Sequence, residues 1–141
     1  MNLYKPEKYK VLKGKKSNIG FCTCWFDPFT SEKTDDLESF CNITGTLYSK
    51  EGVSIILRNL SLNPHIRYLV VWANTPLSNT PFGRAGRELL FKIWQDPSQL
   101  KDIHKEIDPD VVKKIVENVK LIDLSAKDFG EVVEFIKKGK H

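Results

Sequence analysis

The stretch RYLVVWA, residues 67–73, decides the fold because it is a short and nearly continuous apolar run. Strands that have helices packed on both faces have this composition, whereas half-exposed strands alternate apolar and polar residues. Asn63 and Pro64 mark the end of the preceding helical pattern, and a polar loop follows Ala73. The stretch therefore predicts a strand that is covered on both faces, as in a mainly parallel sheet.

Three more segments predict strands of the same sheet. Residues 19–25 form a short apolar run with turn-forming residues on its C-terminal side. Residues 40–48 alternate weakly between apolar and polar side chains, and residues 120–124 form another short apolar segment. We therefore expect one strand in each of these segments.

Four segments with apolar residues at helical spacing predict helices. Asp108 is the expected N-cap of the third helix, with Pro109 in its first position, and Ser125 is the expected cap of the last. Residues 26–40 are polar and are interpreted as a surface loop, and residues 97–107 as a connection. The predicted helices cover residues 50–62, the region around residues 89–94, residues 109–119 and residues 129–136.

The order of these segments predicts the fold class. Strands alternate with helices along the chain, which is typical of a mainly parallel sheet with helices on its faces. We expect an α/β fold: a single three-layer domain in which helices flank a mainly parallel central sheet. The 141 residues suffice for one core. The ligand-binding domain is assigned to residues 18–141, and residues 1–17 are interpreted as a basic N-terminal lead-in.

Composition and charge limit the classes of function. Hydrophobic residues make up 40% of the chain and charged residues 28%, as in an ordinary soluble globular protein. No apolar run approaches the ~20 residues of a membrane span, and no apolar signal segment follows the basic start, so we expect a cytoplasmic location. The net charge is +4, with lysines concentrated at both termini. Nucleic acid is nevertheless not the expected partner, because no RNA- or DNA-binding motif is present.

The three cysteines do not suggest a disulfide framework or a metal site. Their number is odd, and no signal peptide is evident. Cys22 and Cys24 point to the same face of a strand, but a structural zinc site needs four ligands, and no His has metal-like spacing to them. We interpret them as small buried residues and expect no metal.

The loop after residue 73 is the most promising binding site. Ligands of open α/β sheets bind beyond the carboxyl ends of the strands, and residues 74–84 leave such an end and enter a helix. A helix N-terminus offers free N–H groups and a partial positive charge. Arg84 and Arg87 lie three residues apart and can bind a carboxylate or phosphate. The alternative interpretation is that the loop is a plain connection, in which Arg84 pairs with Glu88.

Other residues of the candidate site follow from the same placement rule. Trp25 can stack on a flat ring, although an aromatic residue at a strand end is more often part of the core. Glycines allow the backbone to approach a ligand closely, and polar loop side chains can hydrogen-bond a polar ring. The catalytic residues are unknown, and the candidate cofactor-binding residues are Cys24, Trp25, Gly45, Asn74, Thr75, Asn79, Gly83, Arg84 and Arg87.

Four segments resemble the corrinoid-carrying subunit of tetrahydromethanopterin S-methyltransferase, which holds its corrinoid during methyl transfer. They are NPHIRYLVV at residues 63–71, GRELL at 86–90, IDPDVV at 107–112 and VKLIDL at 119–124. The resemblance covers about half of the chain, from residue 52 to residue 128. In that family a cobalt-ligating His lies three residues before the helix Gly, and the matching position here is Gly83. The resemblance thus implies a possible corrinoid without a matching His ligand.

The chain also resembles a small domain that is associated with archaeal-type thymidylate synthase. That resemblance implies a pterin or folate derivative as the ligand, and a thymidylate synthase or a methyltransferase as the partner. The catalytic domain of thymidylate synthase is not evident, because its Pro-Cys nucleophile segment is missing from these 141 residues.

Three functional hypotheses remain open at this point. The first is a non-catalytic domain of one-carbon metabolism that binds a pterin-like, folate-like or corrinoid-like cofactor for thymidylate synthesis or methyl transfer. The second is a small nucleotide- or methyl-transferring enzyme that uses Cys24 or Asp27. The third is an interaction module whose basic termini bind an acidic partner or RNA.

Overall fold

A computed structural model of the chain describes residues 12–13, 16–24, 34–48, 50–98 and 107–138. Within these residues the chain forms five strands and five α-helices. The strands are β1 (Leu12–Lys13), β2 (Ile19–Cys24), β3 (Ile43–Leu47), β4 (Tyr68–Trp72) and β5 (Lys120–Asp123). The helices are α1 (Thr34–Phe40), α2 (Lys50–Leu62), α3 (Pro81–Gln95), α4 (Pro109–Asn118) and α5 (Phe129–Lys138), and a single 3-10 turn (Leu77–Asn79) precedes α3.

The strands form one sheet in the order β1-β3-β2-β4-β5. Strands β3, β2, β4 and β5 are parallel, and the two-residue β1 pairs antiparallel with β3 at the edge. The predicted α/β fold with a mainly parallel sheet is therefore confirmed. Part of the predicted lead-in contributes to the sheet, because Leu12 and Lys13 pair with Thr44 and Ile43.

Helices cover both faces of the sheet, which gives three layers. Residues of α2, α3 and α4, such as Leu57, Leu90 and Val112, form one apolar cluster with one face of the sheet. Residues of α1 and α5 form a second cluster with the opposite face, together with Phe21 and Val70. All six residues of β2 are buried, as is β4 after its first residue. Burial on both faces explains why the central strands are almost continuously apolar.

Two local predictions are wrong. Residues 34–40, which were expected in a surface loop, form α1, and its Leu37 is buried against the sheet. A helix with so few apolar residues has little periodic signal. Ser125 does not cap the last helix, because α5 begins only at Phe129; the Ser125 hydroxyl instead bonds the Asp123 carboxylate. The cap predicted at Asp108 is confirmed, since its side chain accepts from Asp110 N–H at 2.9 Å.

The strand order places a topological switch point between β2 and β4. After β2 the chain continues to α1 on one face of the sheet, and after β4 it continues to α3 on the other face. The two connections therefore diverge at the carboxyl ends of β2 and β4, which is where open α/β sheets bind their ligands. None of the helices formed by the described residues is long and apolar enough to cross a membrane.

Candidate functional site

The loop after β4 is tied together by the buried side chain of Ser78. The Ser78 hydroxyl lies 2.8 Å from the Thr75 carbonyl, also bonds the Ala73 carbonyl, and accepts from Thr75 N–H at 3.1 Å. In return, the Thr75 hydroxyl accepts from Ser78 N–H at 3.3 Å. These bonds close the chain on itself over residues 73–78, so they hold the loop at the carboxyl end of β4 in one conformation.

The asparagines of the loop also donate hydrogen bonds within the protein. Asn74 Nδ2 donates to the Lys127 carbonyl at 3.2 Å, and Trp72 Nε1 donates to the same carbonyl at 2.8 Å. Asn79 Nδ2 donates to the Thr75 carbonyl at 3.0 Å. The polar residues that were predicted to hydrogen-bond a ligand therefore bond other parts of the loop and the turn before α5.

The N-terminus of α3 has less free hydrogen-bonding capacity than the sequence suggested. The Thr80 side chain caps the helix by accepting from Gly83 N–H at 3.0 Å, and the Thr80 carbonyl accepts from Arg84 N–H. Pro81, the first helical residue, has no N–H group. This helix end is therefore a weak anion site, and its capping explains the sharp start of α3 instead.

Gly83 allows close packing against the Leu77 carbonyl and does not leave space for a ligand. A Cβ atom at this position would lie 1.9 Å from the Leu77 carbonyl oxygen and 2.9 Å from the Leu77 carbonyl carbon. The first turn of α3 therefore packs directly against the 3-10 turn. The space that a side chain would occupy at Gly83, which the resemblance aligned with a metal-ligating His, is filled by backbone.

Arg84 and Arg87 have different environments, although the sequence treated them as a pair. The Arg84 side chain is 44% exposed, and its Nε lies 3.6 Å from Glu88 Oε1. Arg87 points into the protein and is only 8% exposed. Its Nη1 atom is buried and has no hydrogen-bond partner among the residues that the structure describes. Of these two arginines, only Arg87 therefore places its cation inside the fold.

Arg87 lies beside Cys24, the last residue of β2. The main factor that lowers the pKa of the Cys24 thiol is a hydrogen bond with the Cys22 thiol on the same strand face. The positive charge of Arg87 lowers this pKa further, whereas burial and the charge of Asp123 on β5 oppose the change. The net result is a pKa below the usual cysteine value, which favours a thiolate close to the guanidinium group.

The chain matches no protein-family model, and no curated protein or solved structure is significantly similar to it. Its site must therefore be understood from its own geometry. No three His, Cys, Asp or Glu side chains among the described residues are grouped so that they could hold a metal ion.

The lowered pKa of Cys24 predicts how stability changes with pH. A thiol whose pKa is lower in the folded state than in the unfolded state stabilises the fold through its charged form. This contribution is complete above the pKa of the unfolded state, about 8.5 for cysteine, and it is lost as the pH falls through the pKa of the folded state. The free energy of unfolding of the wild type should therefore rise with pH relative to that of Cys24→Ser. Urea titrations of both proteins from about pH 6 to about pH 8 measure this difference.

Cys41→Ser is the control for the pH experiment. Burial raises the pKa of Cys41 to about 12, so its contribution is complete below the unfolded pKa and is lost only at higher pH. The difference between wild type and Cys41→Ser should stay constant in the same window. The pKa of Cys22 is also raised, first by its hydrogen bond with Cys24 and then by burial. An equally constant difference for Cys24→Ser would contradict a charged Cys24.

The remaining predicted site residues lie elsewhere or outside the described residues. Gly45 pairs with Cys22, so β2 separates it from β4 and from the loop that follows β4. Gly45 instead lines a largely apolar cavity of about 110 Å³ between the sheet and α2. Trp25 and Asp27 lie outside the described residues. Of the nine predicted residues, the structure brings Cys24 and Arg87 together at the switch point.

Two important residues were missed from the sequence. Ser78 is not among the candidate residues, but it is fully buried and holds the loop together. Cys22 was interpreted only as a buried residue, although it bonds the neighbouring thiol. The sequence contained a signal for this contact, because residues two positions apart in a strand lie on the same face. The burial of Ser78 had none, because loop serines are usually exposed.

Proposed function

We propose that this chain binds a small molecule through an acidic group, at the carboxyl ends of β2 and β4, with Arg87 as the residue that binds the acid. The observation that carries the proposal is the Nη1 atom of Arg87, which is buried and has no hydrogen-bond partner among the described residues. A buried donor without a partner costs about 1–3 kcal/mol, and more when it is charged. A carboxylate or phosphate at this position removes that cost and forms a charge-assisted hydrogen bond.

The position of Arg87 supports a ligand rather than a purely structural role. The side chain comes from α3, which follows β4, and its charge acts on Cys24 at the end of β2. These two strands flank the switch point, which is the usual ligand position in sheets of this topology. A structural arginine at this depth normally bonds a carboxylate of the protein itself.

The ligand proposed is a pterin or folate derivative, as the resemblance to the thymidylate synthase-associated domain implies. The glutamate carboxylates of a folate supply the acid for Arg87. Asn74 and Asn79 use their Nδ2 atoms to hold the loop, so their Oδ1 atoms are the acceptors offered to ring N–H groups. A corrinoid is the second candidate, because its phosphate also suits Arg87, and it would bind without a His ligand. Catalysis then belongs to a partner such as a thymidylate synthase or a methyltransferase.

The proposal is tested by thermal-shift and calorimetric titrations with matched compounds. We expect folic acid and p-aminobenzoylglutamate to stabilise the protein, and a pterin without an acidic tail to do so less. A corrinoid and inorganic phosphate test the phosphate alternative. Failure of every acidic compound to bind or to stabilise the protein would overturn the proposal.

Arg87→Met and Arg84→Met form the matched pair of variants. Loss of a charge-assisted hydrogen bond of about 1.5–3 kcal/mol corresponds to an affinity roughly 10- to 100-fold weaker for Arg87→Met. Arg84→Met removes an exposed cation from the same helix and should bind within about twofold of wild type. Arg87→Met should fold at least as well as wild type, because a buried unpaired charge is replaced by an apolar chain. Equal affinities for the two variants would show that Arg87 is not the acid-binding group.

A further inference from the structure

We propose that Cys24 is a nucleophile, and that the site therefore takes an acid that also carries an electrophilic carbon. The inference rests on the proposed function, since the acidic group of the ligand is held by Arg87. It goes further in assigning covalent chemistry to a thiol at the carboxyl end of the central strand β2.

Burial alone does not distinguish Cys24 from the other thiols. Cys22, Cys24 and Cys41 are 3%, 1% and 1% exposed, so all three are shielded to a similar degree. Their surroundings differ, because the Arg87 guanidinium lies beside Cys24, whereas Cys41 is surrounded by apolar residues. A nearby cation favours the thiolate, which is the reactive form of cysteine.

The position of Cys24 in the sheet also separates it from Cys22. Cys22 lies within β2, between its pairing partners Gly45 on β3 and Val71 on β4. Cys24 is the last residue of β2 and lies next to the end of β4. The residue that follows β4 is Ala73, which has a small side chain. Cys24 therefore lies two residues nearer than Cys22 to the carboxyl edge of the sheet, where the proposed ligand binds.

Three charged or titratable groups define the environment of the Cys24 sulfur. Cys22 on the same strand hydrogen-bonds the Cys24 sulfur, and Arg87 on α3 supplies a positive charge. Asp123 on β5 supplies a negative charge that weakens the effect. The Asp123 carboxylate is engaged with Ser125, whose N–H donates to it at 3.0 Å. The thiolate thus has one donor and one nearby cation.

The reaction is a simple displacement. The Cys24 thiolate attacks the electrophilic carbon, an S–C bond forms, and the bond from that carbon to its leaving group breaks. The leaving group departs with the bonding pair, so no oxidant or reductant is required. Arg87 holds the acid of the same ligand and keeps the carbon close to the sulfur, and this orientation accelerates the transfer to Cys24, whereas the later steps belong to the partner.

Alkylation of the native protein by iodoacetate and by iodoacetamide tests the inference. Both reagents form the same S–C bond and release iodide, but only iodoacetate carries a carboxylate. Peptide mass spectrometry at short times gives the rate at each cysteine. We expect Cys24 to react first, with an iodoacetate-to-iodoacetamide rate ratio at least about tenfold above that of the urea-unfolded chain, as for one charge-assisted contact.

Variants identify the source of the preference. Arg87→Met should reduce the ratio at Cys24 to that of the unfolded chain, whereas Arg84→Met should leave it unchanged. Cys22→Ala should slow the reaction of Cys24 with both reagents, because it removes the hydrogen bond to the thiolate. The comparison with the unfolded wild type needs no variant, so it remains valid if a substitution impairs folding.

The possible failures can be told apart. If Cys24 reacts no faster than Cys22 and Cys41, or shows no preference for iodoacetate, the nucleophile proposal is refuted, even if folates bind through Arg87. If Cys24 shows the preference but no folate, corrinoid or phosphate binds, the proposed cofactor class is wrong and the nucleophile assignment stands. A preference that persists unchanged in folded Arg87→Met would also refute the proposed role of the guanidinium.

Discussion

Replacing Gly83 with alanine is expected to lower the free energy of unfolding by about 2–4 kcal/mol, as severe overpacking does. The new Cβ would lie 1.9 Å from the Leu77 carbonyl oxygen, which belongs to the backbone and cannot rotate away. Either the 3-10 turn or the start of α3 must move. Alanine is otherwise the better helix former, by about 1 kcal/mol, so the expected loss is opposite to the helix propensity.

Gly130→Ala is the matched control for Gly83→Ala. Gly130 also lies in the first turns of a helix, but a Cβ there meets no atom within 4 Å. Without a clash, propensity decides, and this variant should gain about 0.5–1 kcal/mol. Urea unfolding of the three proteins measures both effects. Similar stabilities for Gly83→Ala and Gly130→Ala would show that α3 does not pack against the Leu77 carbonyl as described.

Ser78→Ala is expected to destabilise the protein by about 2–3 kcal/mol, because buried polar groups lose their partner. The substitution leaves the Thr75 N–H group and the Ala73 carbonyl without the hydroxyl that joins them. Since these bonds hold the loop beside the proposed binding site, affinity for an acidic ligand should fall as well. Urea unfolding and calorimetry on the same variant measure the two effects.

Asn79→Ala tests whether the Ser78 effect is specific. Asn79 belongs to the same loop, but its side chain is exposed and donates one hydrogen bond, to the Thr75 carbonyl at 3.0 Å. We expect its loss to cost about 1 kcal/mol or less. If Ser78→Ala proves no more disruptive than Asn79→Ala, the buried hydroxyl does not organise the loop.

The two arginines of the candidate site show how much residue spacing alone can predict. Arg84 and Arg87 are three residues apart, and side chains at this spacing are neighbours on a helix. They nevertheless have different environments, since Arg84 pairs with Glu88 at the surface and Arg87 is buried near Cys24. Spacing specifies the angle between two side chains around the helix axis. It does not specify which side of the helix packs against the sheet. That position depends on how α3 packs.

Periodic patterns in the sequence were sufficient for most of the secondary structure. The helix predicted at residues 50–62 is α2 with the same bounds, and the apolar run at 67–73 contains β4. These elements bury a large apolar face, and burial dictates a repeat of residues that is visible without coordinates. Helix α1 was missed because it buries few side chains, so no repeat marks it.

The environment of the candidate site, in contrast, depends on contacts between residues far apart in the chain. Cys24 and Arg87 are separated by 63 positions, and no local pattern relates them. Their proximity follows from the strand order, which places β2 next to β4 and directs α3 back over the sheet. Local sequence specifies which faces are apolar, whereas charge and burial at one point in space depend on how those faces pack together.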